Sequence, residues 1–398
     1  MKIAFLTGSL EAGRDGVGDY TAALAETLAH QGHEVLVVSL NDRFAKGILS
    51  GNASFRWLRL PSALPWSNRI ENARRELARF VPEWVSLQFV CYAFHPKGMV
   101  HGLAAKLAPL LTDRKLHIMF HEIWLCKESG WGWKHRMVGA LQRHFIVRFV
   151  SATNPAVMHT SNATYSAVLK RAGISVDELG LFGNVPILSE PGTPWMEAQL
   201  RSVLGPVHCR DIFWLFGFFG TLHPQWPPEP LLTHLHHAAQ AVGKRPVLLS
   251  IGRIGDAGLE LWNRLARDYS GRFIFLRLGE QPVERISEYL GLLNCGIATT
   301  PLSILGKSGV VASMLEHGLP VIVNRDDAPG AGARDKKLDP LIIRCDEHLE
   351  SRLRAGLRKG PRTPRRPLMA REFEHSLTRA ARSGAPNSSP QILKLDTV

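Results

Sequence analysis

From its second residue the chain repeats one rhythm: a short apolar run, a polar turn, then a longer stretch in which apolar residues recur every three or four positions. Short continuous apolar runs are buried strands, and the longer periodic stretches are amphipathic helices. In the first half the pattern predicts strands at 2–7, 34–40, 55–60, 84–89, 116–120, 156–160 and 179–182. Helices are predicted at 19–31, 68–80, 99–111, 134–150 and 162–171. Over 190–205 the rhythm lapses into Pro, Gly and polar residues, as an interdomain linker would. It then restarts, with strands at 212–219, 246–251, 273–277, 296–300, 320–324 and 341–345. The helices between and after them are 230–242, 259–269, 283–293, 309–317 and 347–357, followed by one more at 368–381. Such alternation implies parallel sheets covered on both faces, so the fold class is α/β, with two doubly wound, Rossmann-like domains. The expected division is a first domain over 1–189, a second over 206–360, a basic helical segment over 361–383 and a disordered tail over 384–398.

Length and composition agree with this plan. A chain of 398 residues suffices for two domains, each with its own core. It opens directly on a strand, MKIAFLTGS, without the basic and apolar run of a signal peptide, and nowhere does an apolar stretch reach the length of a membrane span. Five scattered cysteines (Cys91, Cys126, Cys209, Cys295 and Cys345) argue against a disulfide framework or zinc site and for a reducing cytoplasm. The net charge of +13 is unevenly placed: between Ser351 and Ser383 stand ten Lys or Arg against Glu372 and Glu374. That tail is either a surface for anionic lipid or nucleic acid, or a solvated helix and linker. Most of the excess sits there, and the body is only mildly basic.

The most informative stretch is 295–323, CGIATTPLSILGKSGVVASMLEHGLPVIV, which reads as one strand-helix-strand unit with a loop at the strand's carboxyl end. Ligands sit at that edge of an open parallel sheet, where a helix N-terminus offers unpaired N–H groups to an anion. Lys307, Ser308 and Gly309 lie there, and Glu316 follows roughly 8 to 10 Å along the helix at about 1.5 Å per residue. A pyrophosphate at the helix start would leave ribose hydroxyls near that carboxylate, so the spacing suggests a nucleotide-diphosphate site. A P-loop is excluded, because the motif needs Gly where this chain has Pro301. A Gly-rich turn in an α/β protein that binds nothing is the structural alternative.

The segment LGKSGVVASMLEHGLPVIV resembles the donor-nucleotide segment of retaining, family-4-type glycosyltransferases of the GT-B fold. There two Glu separated by seven residues precede Gly-Leu-Pro-Val. Glu316 matches the second, which in the family binds the donor ribose; Gly318, Leu319 and Pro320 match the tail, and Ser308 stands in place of the first Glu. The resemblance implies two domains facing a cleft and a C-terminal helix crossing back to the first. It also implies transfer of a hexosyl unit from a nucleotide-diphosphate sugar to a glycan or glycolipid hydroxyl, with retention and without a protein nucleophile. The departing phosphate takes the acceptor's proton; no cofactor is implied.

Other segments add candidates. Residues 13–21, GRDGVGDYT, lack the third Gly of a dinucleotide fingerprint but resemble the family's N-terminal loop, which makes Gly16, Gly18 and Asp19 donor-side candidates; Asp19 is alternatively the helix N-cap. His121 and Glu122 end the strand 116–120, and MFHEIW resembles the family segment whose His lines the cleft, so either is a candidate general acid or base. In FFGTLHPQW (218–226) the family's phosphate-binding Arg and Lys positions hold Thr221 and Pro227, leaving Lys307 and Arg253 to compensate. His234 and His237 share a helix face, but no carboxylate or Cys lies at ligand spacing in the sequence, and RDD at 325–327 is not a metal-binding Asp-x-Asp, so no metal is expected. WGWKHRMVGALQRHFIVRF (131–149) combines Trp131 and Trp133 with Lys134, Arg136, Arg143 and Arg148, as an interfacial helix on anionic membrane would; a core helix with a solvated basic face is the alternative. The expected partners are a nucleotide sugar and a glycan or lipid-linked acceptor, without nucleic acid, at the cytoplasmic side. Two rival functions share the fold: an inactive glycosyltransferase-like scaffold, supported by Ser308, Thr221 and Pro227, and a sugar-nucleotide 2-epimerase, which would need paired acids beside Glu122.

Overall fold

The computed structural model describes residues 1–125, 132–188, 194–205, 212–325 and 338–383. The expectations for Cys126, Trp131, Cys209, Asp326, Asp327 and the tail 384–398 lie outside those residues. Two compact units are present: Met1–Leu181 with the segment from Arg366 onward, and Phe182–Arg365.

The first unit runs β1 (Lys2–Thr7), α1 (Gly16–His30), β2 (Glu34–Asp42), β3 (Leu49–Asn52), β4 (Arg56–Pro61), α2 (Trp66–Phe80), β5 (Trp84–Phe89), α3 (Cys91–Phe94), α4 (Leu103–Leu111), β6 (Lys115–Phe120), α5 (Trp133–Thr153), β7 (Val157–Thr160), α6 (Ala163–Arg171) and β8 (Asp177–Glu178). Its sheet order is β3-β4-β2-β1-β5-β6-β7-β8, parallel except for β3 against β4. The order reverses between β1 and β5, the crevice where doubly wound sheets bind ligands. Helices form where apolar residues share a face and a cap is at hand. In α6, Asn162 caps by accepting the Tyr165 N–H at 2.9 Å while Tyr165 and Leu169 are buried.

The second unit runs α7 (Pro194–Leu204), β9 (Phe213–Phe219), α8 (Leu231–Ala241), β10 (Arg245–Ile251), α9 (Asp256–Asp268), β11 (Ile274–Arg277), α10 (Val283–Leu292), β12 (Cys295–Ala298), a 3-10 segment (Leu302–Lys307), α11 (Gly309–Glu316), β13 (Val321–Val323), β14 (Ile342–Arg344) and α12 (Leu349–Ala355). All six strands are parallel in the order β11-β10-β9-β12-β13-β14, with the switch point between β9 and β12. The apolar stripe of α9 is typical of the layer: Gly258, Leu261, Trp262 and Leu265, spaced by three and four, face inward.

The last helix, α13 (Arg366–Ser383), returns to the first unit and packs on α1. Phe373 is wholly buried, stacked on Phe5 at 5.8 Å between ring centroids and edge-on to His117 at 5.0 Å. The fold is therefore two doubly wound α/β domains with a C-terminal helix that crosses back.

Four local expectations are corrected. The stretch 190–205 is not wholly linker: α7 starts with Pro194, whose missing N–H is harmless at a helix start, and Met196 and Leu200, one turn apart, enter the second unit's core. The predicted strand 179–182 is not one. The ladder stops at Glu178, and Leu179 and Phe182 instead bury their side chains on either side of Gly180. The exposed edge strand β3 has no apolar alternation to announce it. The first helix starts at Gly16 rather than Asp19, because Asp15 is its cap and accepts the Val17 and Gly18 N–H groups.

Candidate functional site

In the second unit a cavity of about 260 Å³ opens at the switch point. It is lined by Phe218 and Phe219 at the end of β9, by Thr221 just after it, by Thr299 and Thr300 after β12, and by Lys307 and Ser308 ahead of α11. The elements explain why these residues meet. Parallel strands end at one edge, and the 3-10 segment turns the chain so that α11 starts over that edge with its N-terminal N–H groups unpaired within the helix. Gly220, at φ +70°, makes the turn after β9, and a side chain on it would approach Val310 of α11 to 3.2 Å. Positive helix potential, one lysine and four hydroxyl side chains (Thr221, Thr299, Thr300 and Ser308) make a pocket suited to an anion with hydrogen-bonding oxygens.

Sequence-predicted residues divide here. Thr221, Lys307 and Ser308 line the cavity, and Gly309 opens the helix beside it. Ser308 is the α11 cap, its Oγ accepting the Val311 N–H at 3.3 Å, so its side chain serves the helix start. Arg253, expected to face phosphate, is not among the lining residues; its guanidinium is paired with the Glu280 carboxylate at 3.0 Å on the surface. Glu316 ends α11, is buried, and accepts the Gly183 N–H on Oε1 at 2.7 Å; it too is outside the cavity lining. Arg325, just past β13 and buried, reaches the Thr299 carbonyl at 3.4 Å behind the cavity wall, a cation that its neighbours Asp326 and Asp327 obscure in the sequence.

The first unit presents its own edge. The loop after β1 is pinned by Asp42 at the end of β2. This fully buried carboxylate accepts from Ser9 Oγ and the Leu10 N–H, each at 3.1 Å, and from Arg59 Nε at 2.8 Å. Burial alone would raise the Asp42 pKa, but Arg59 and the N–H groups of Leu10 and Phe44 prevail and hold it at about 2. Gly18 packs so closely under this loop that a Cβ would stand 2.4 Å from the Ser9 carbonyl oxygen, whereas Gly16 has open space around it. Asp19 is not the cap; it accepts the Gly13 N–H at 2.9 Å, and burial raises its pKa.

His121 and Glu122 follow β6 as expected. His121 is 7% exposed, its Nε2 lies 2.8 Å from Gln88 Oε1, and Tyr20 stands edge-on to its ring. Burial lowers its pKa to about 3, so the ring is held in its neutral form. Gln88 escaped the sequence reading, although an amide within the apolar run WVSLQFV was a signal for it.

The histidines of α8 have a partner from elsewhere in the chain. Glu350 of α12 lies between them, its Oε1 2.8 Å from His234 Nδ1 and 3.4 Å from His237 Nδ1, a carboxylate that sequence spacing hides. Among the described residues no group of three or more His, Cys, Asp or Glu has metal-holding geometry, and no helix is long and apolar enough to cross a membrane.

No sequence-family profile matches the chain, and no curated protein does. Solved structures do. The chain is similar to WaaG, a glycosyltransferase involved in lipopolysaccharide biosynthesis, with 14% identity over 96% of this chain and 100% of that one and a TM-score of 0.53. It is similar to the catalytic domain of starch synthase IV from Arabidopsis thaliana bound to ADP and acarbose, with 12% identity, 96% and 99% coverage and a TM-score of 0.54. Similarity extends to HepE from Anabaena, solved with UDP and glucose, at 16% identity, 82% and 81% coverage and a TM-score of 0.51. Across nearly the whole chain, then, this protein has the GT-B fold of those glycosyltransferases.

Proposed function

We propose that the chain is a glycosyltransferase that moves a hexosyl unit from a nucleotide-diphosphate sugar to a hydroxyl of a glycan or glycolipid, with retention and without metal. The observation that carries this reading is the switch-point cavity, where Lys307, Thr221 and the start of α11 converge on a space fit for a diphosphate. In this reading the second unit holds the donor nucleotide, with Glu316 at the ribose, and the first unit supplies Gly16, Gly18, Asp19, His121 and Glu122 to the sugar and acceptor. The departing phosphate takes the acceptor's proton, consistent with a neutral His121. Incubation with a panel of nucleotide sugars and acceptors tests it: free nucleotide must appear in proportion to glycosylated acceptor.

One finding favours a second reading, a nucleotide-binding subunit without turnover. Arg253 is tied to Glu280 and Ser308 caps its helix, so two expected donor ligands are otherwise engaged. Binding of a nucleotide sugar without nucleotide release identifies that case.

For the acceptor side, α5 supports a lipid-linked partner. Trp133, Met137 and Leu141 are exposed at four-residue spacing, Lys134, Arg136, Arg143 and Arg148 accompany them, and no Asp or Glu occurs in the helix. An apolar stripe with basic flanks fits the surface of an anionic bilayer, which would place the protein peripherally on the cytoplasmic side of a membrane.

A further inference from the structure

Five polar side chains form one hydrogen-bonded line through three neighbouring strands of the first unit. His121 Nε2 is 2.8 Å from Gln88 Oε1, and Gln88 Nε2 donates to Ser86 Oγ at 2.8 Å. Ser86 Oγ is 2.7 Å from His117 Nδ1, and His117 Nε2 is 3.0 Å from His159 Nδ1. All five are buried, and beyond His159 lies the exposed ion pair of Asp177 with Arg379. Apolar residues of similar size would fill this layer without the cost of burying polar atoms, so packing does not account for the line.

Its direction follows from the donor and acceptor inventory. An amide oxygen only accepts, so His121 carries its proton on Nε2. The amide nitrogen only donates, so Ser86 Oγ accepts there and its own hydrogen goes to His117 Nδ1. His117 must then be protonated on Nε2 and donate to His159 Nδ1. Each ring's tautomer is set by its neighbour, and the Gln88 amide, which does not titrate, fixes the direction at the His121 end. With Nε2 engaged, Nδ1 is the polar atom of the His121 side chain left to a ligand, and there it offers a lone pair.

We infer that Gln88 is a positioning residue that holds His121 in the Nε2-protonated tautomer, so that His121 Nδ1 accepts a hydrogen bond from a hydroxyl of the sugar substrate. The substrate half of this inference rests on the glycosyltransferase reading, and the tautomer half does not. Burial supports it by keeping all three imidazoles neutral, His121 at about 3, His159 at about 4 and His117 well below its ordinary value.

The test uses the full chain labelled with ¹⁵N-histidine. Two-bond proton–nitrogen spectra report each ring's tautomer, with His121 assigned by its disappearance in His121→Asn. The expected result in the unsubstituted protein is a protonated Nε2 and a bare Nδ1 at His121. A proton on Nδ1 would mean that the line runs the other way and would overturn the inference, whatever any variant does. Gln88→Leu should release His121 into a mixture of tautomers and, with a donor and acceptor that turn over, lower kcat/KM about tenfold, the scale of one lost hydrogen bond. Gln88→Glu keeps the acceptor and should restore both the tautomer and most of the rate. A changed tautomer in Gln88→Leu with unchanged kcat/KM removes the positioning role. Absence of transfer with any sugar donor removes the proposed function and leaves the tautomer result standing.

Discussion

Gly183 gives its backbone N–H to the Glu316 carboxylate at 2.7 Å, and nothing larger than hydrogen fits on its α-carbon, because a Cβ there would sit 2.6 Å from Ser313 Cα. Glu316 ends α11, where the helix dipole disfavours a negative charge, and it is also buried. This N–H contributes to holding such a carboxylate in place.

Glu316→Gln keeps an oxygen for Gly183 and should fold with little loss of stability, yet bind nucleotide diphosphate about tenfold more weakly. Calorimetric titration checks the affinity, and an unchanged value removes Glu316 from the nucleotide site. Gly183→Ala forces a methyl group into α11 and should destabilise the second unit by roughly 1–3 kcal/mol, read by urea unfolding.

Lys307→Ala takes the lysine from the cavity and leaves the core untouched. Nucleotide diphosphate affinity should fall about ten- to a hundredfold, the range of one charged hydrogen bond, with an unaltered melting temperature. Equal affinity for both proteins would place the phosphates elsewhere.

The first unit should be acid-sensitive well above carboxylate pKa values. His117, His121 and His159 have folded pKa values depressed below 6.5, so the unfolded chain binds more protons as pH falls through that value. Their stabilisation is complete above about pH 6.5 and drains away towards pH 4. At pH 5 each ring should cost roughly 2 kcal/mol, at about 1.4 kcal/mol per pH unit. Circular dichroism melts at pH 7.5 and 5 measure it, and His159→Gln should lessen the difference.

Replacing Arg136, Arg143 and Arg148 with Ala should abolish cosedimentation with vesicles rich in anionic lipid. Trp133→Ala should weaken it, and neutral vesicles should retain neither protein. Equal sedimentation of parent and triple variant would end the membrane assignment of α5.

Phe373→Ala removes a fully buried ring from between Phe5 and His117 and should cost about 3–5 kcal/mol. Limited proteolysis should then cut α13 while the second unit stays intact.

The sheets were legible because parallel strands covered on both faces are uninterrupted apolar runs; β1 and β5 match the expected bounds residue for residue. Local chemistry was legible where the chain keeps it local, as at Lys307, Ser308 and Gly309. What failed was whatever depends on distant partners. Gln88 meets His121 across 33 positions, Glu316 meets Gly183 across 133, and Glu350 comes to His234 across 116. The start of α1 was misplaced for a smaller reason: two aspartates, Asp15 and Asp19, compete for one cap, and the earlier wins by bonding two N–H groups.

Because α13 belongs to the first unit, that unit is written in two instalments with the whole of the second between them. During synthesis, Phe5 and His117 stay uncovered until some 250 further residues after His117 have left the ribosome. The amino-terminal half therefore cannot complete its core first, and a premature stop near the end would damage the beginning.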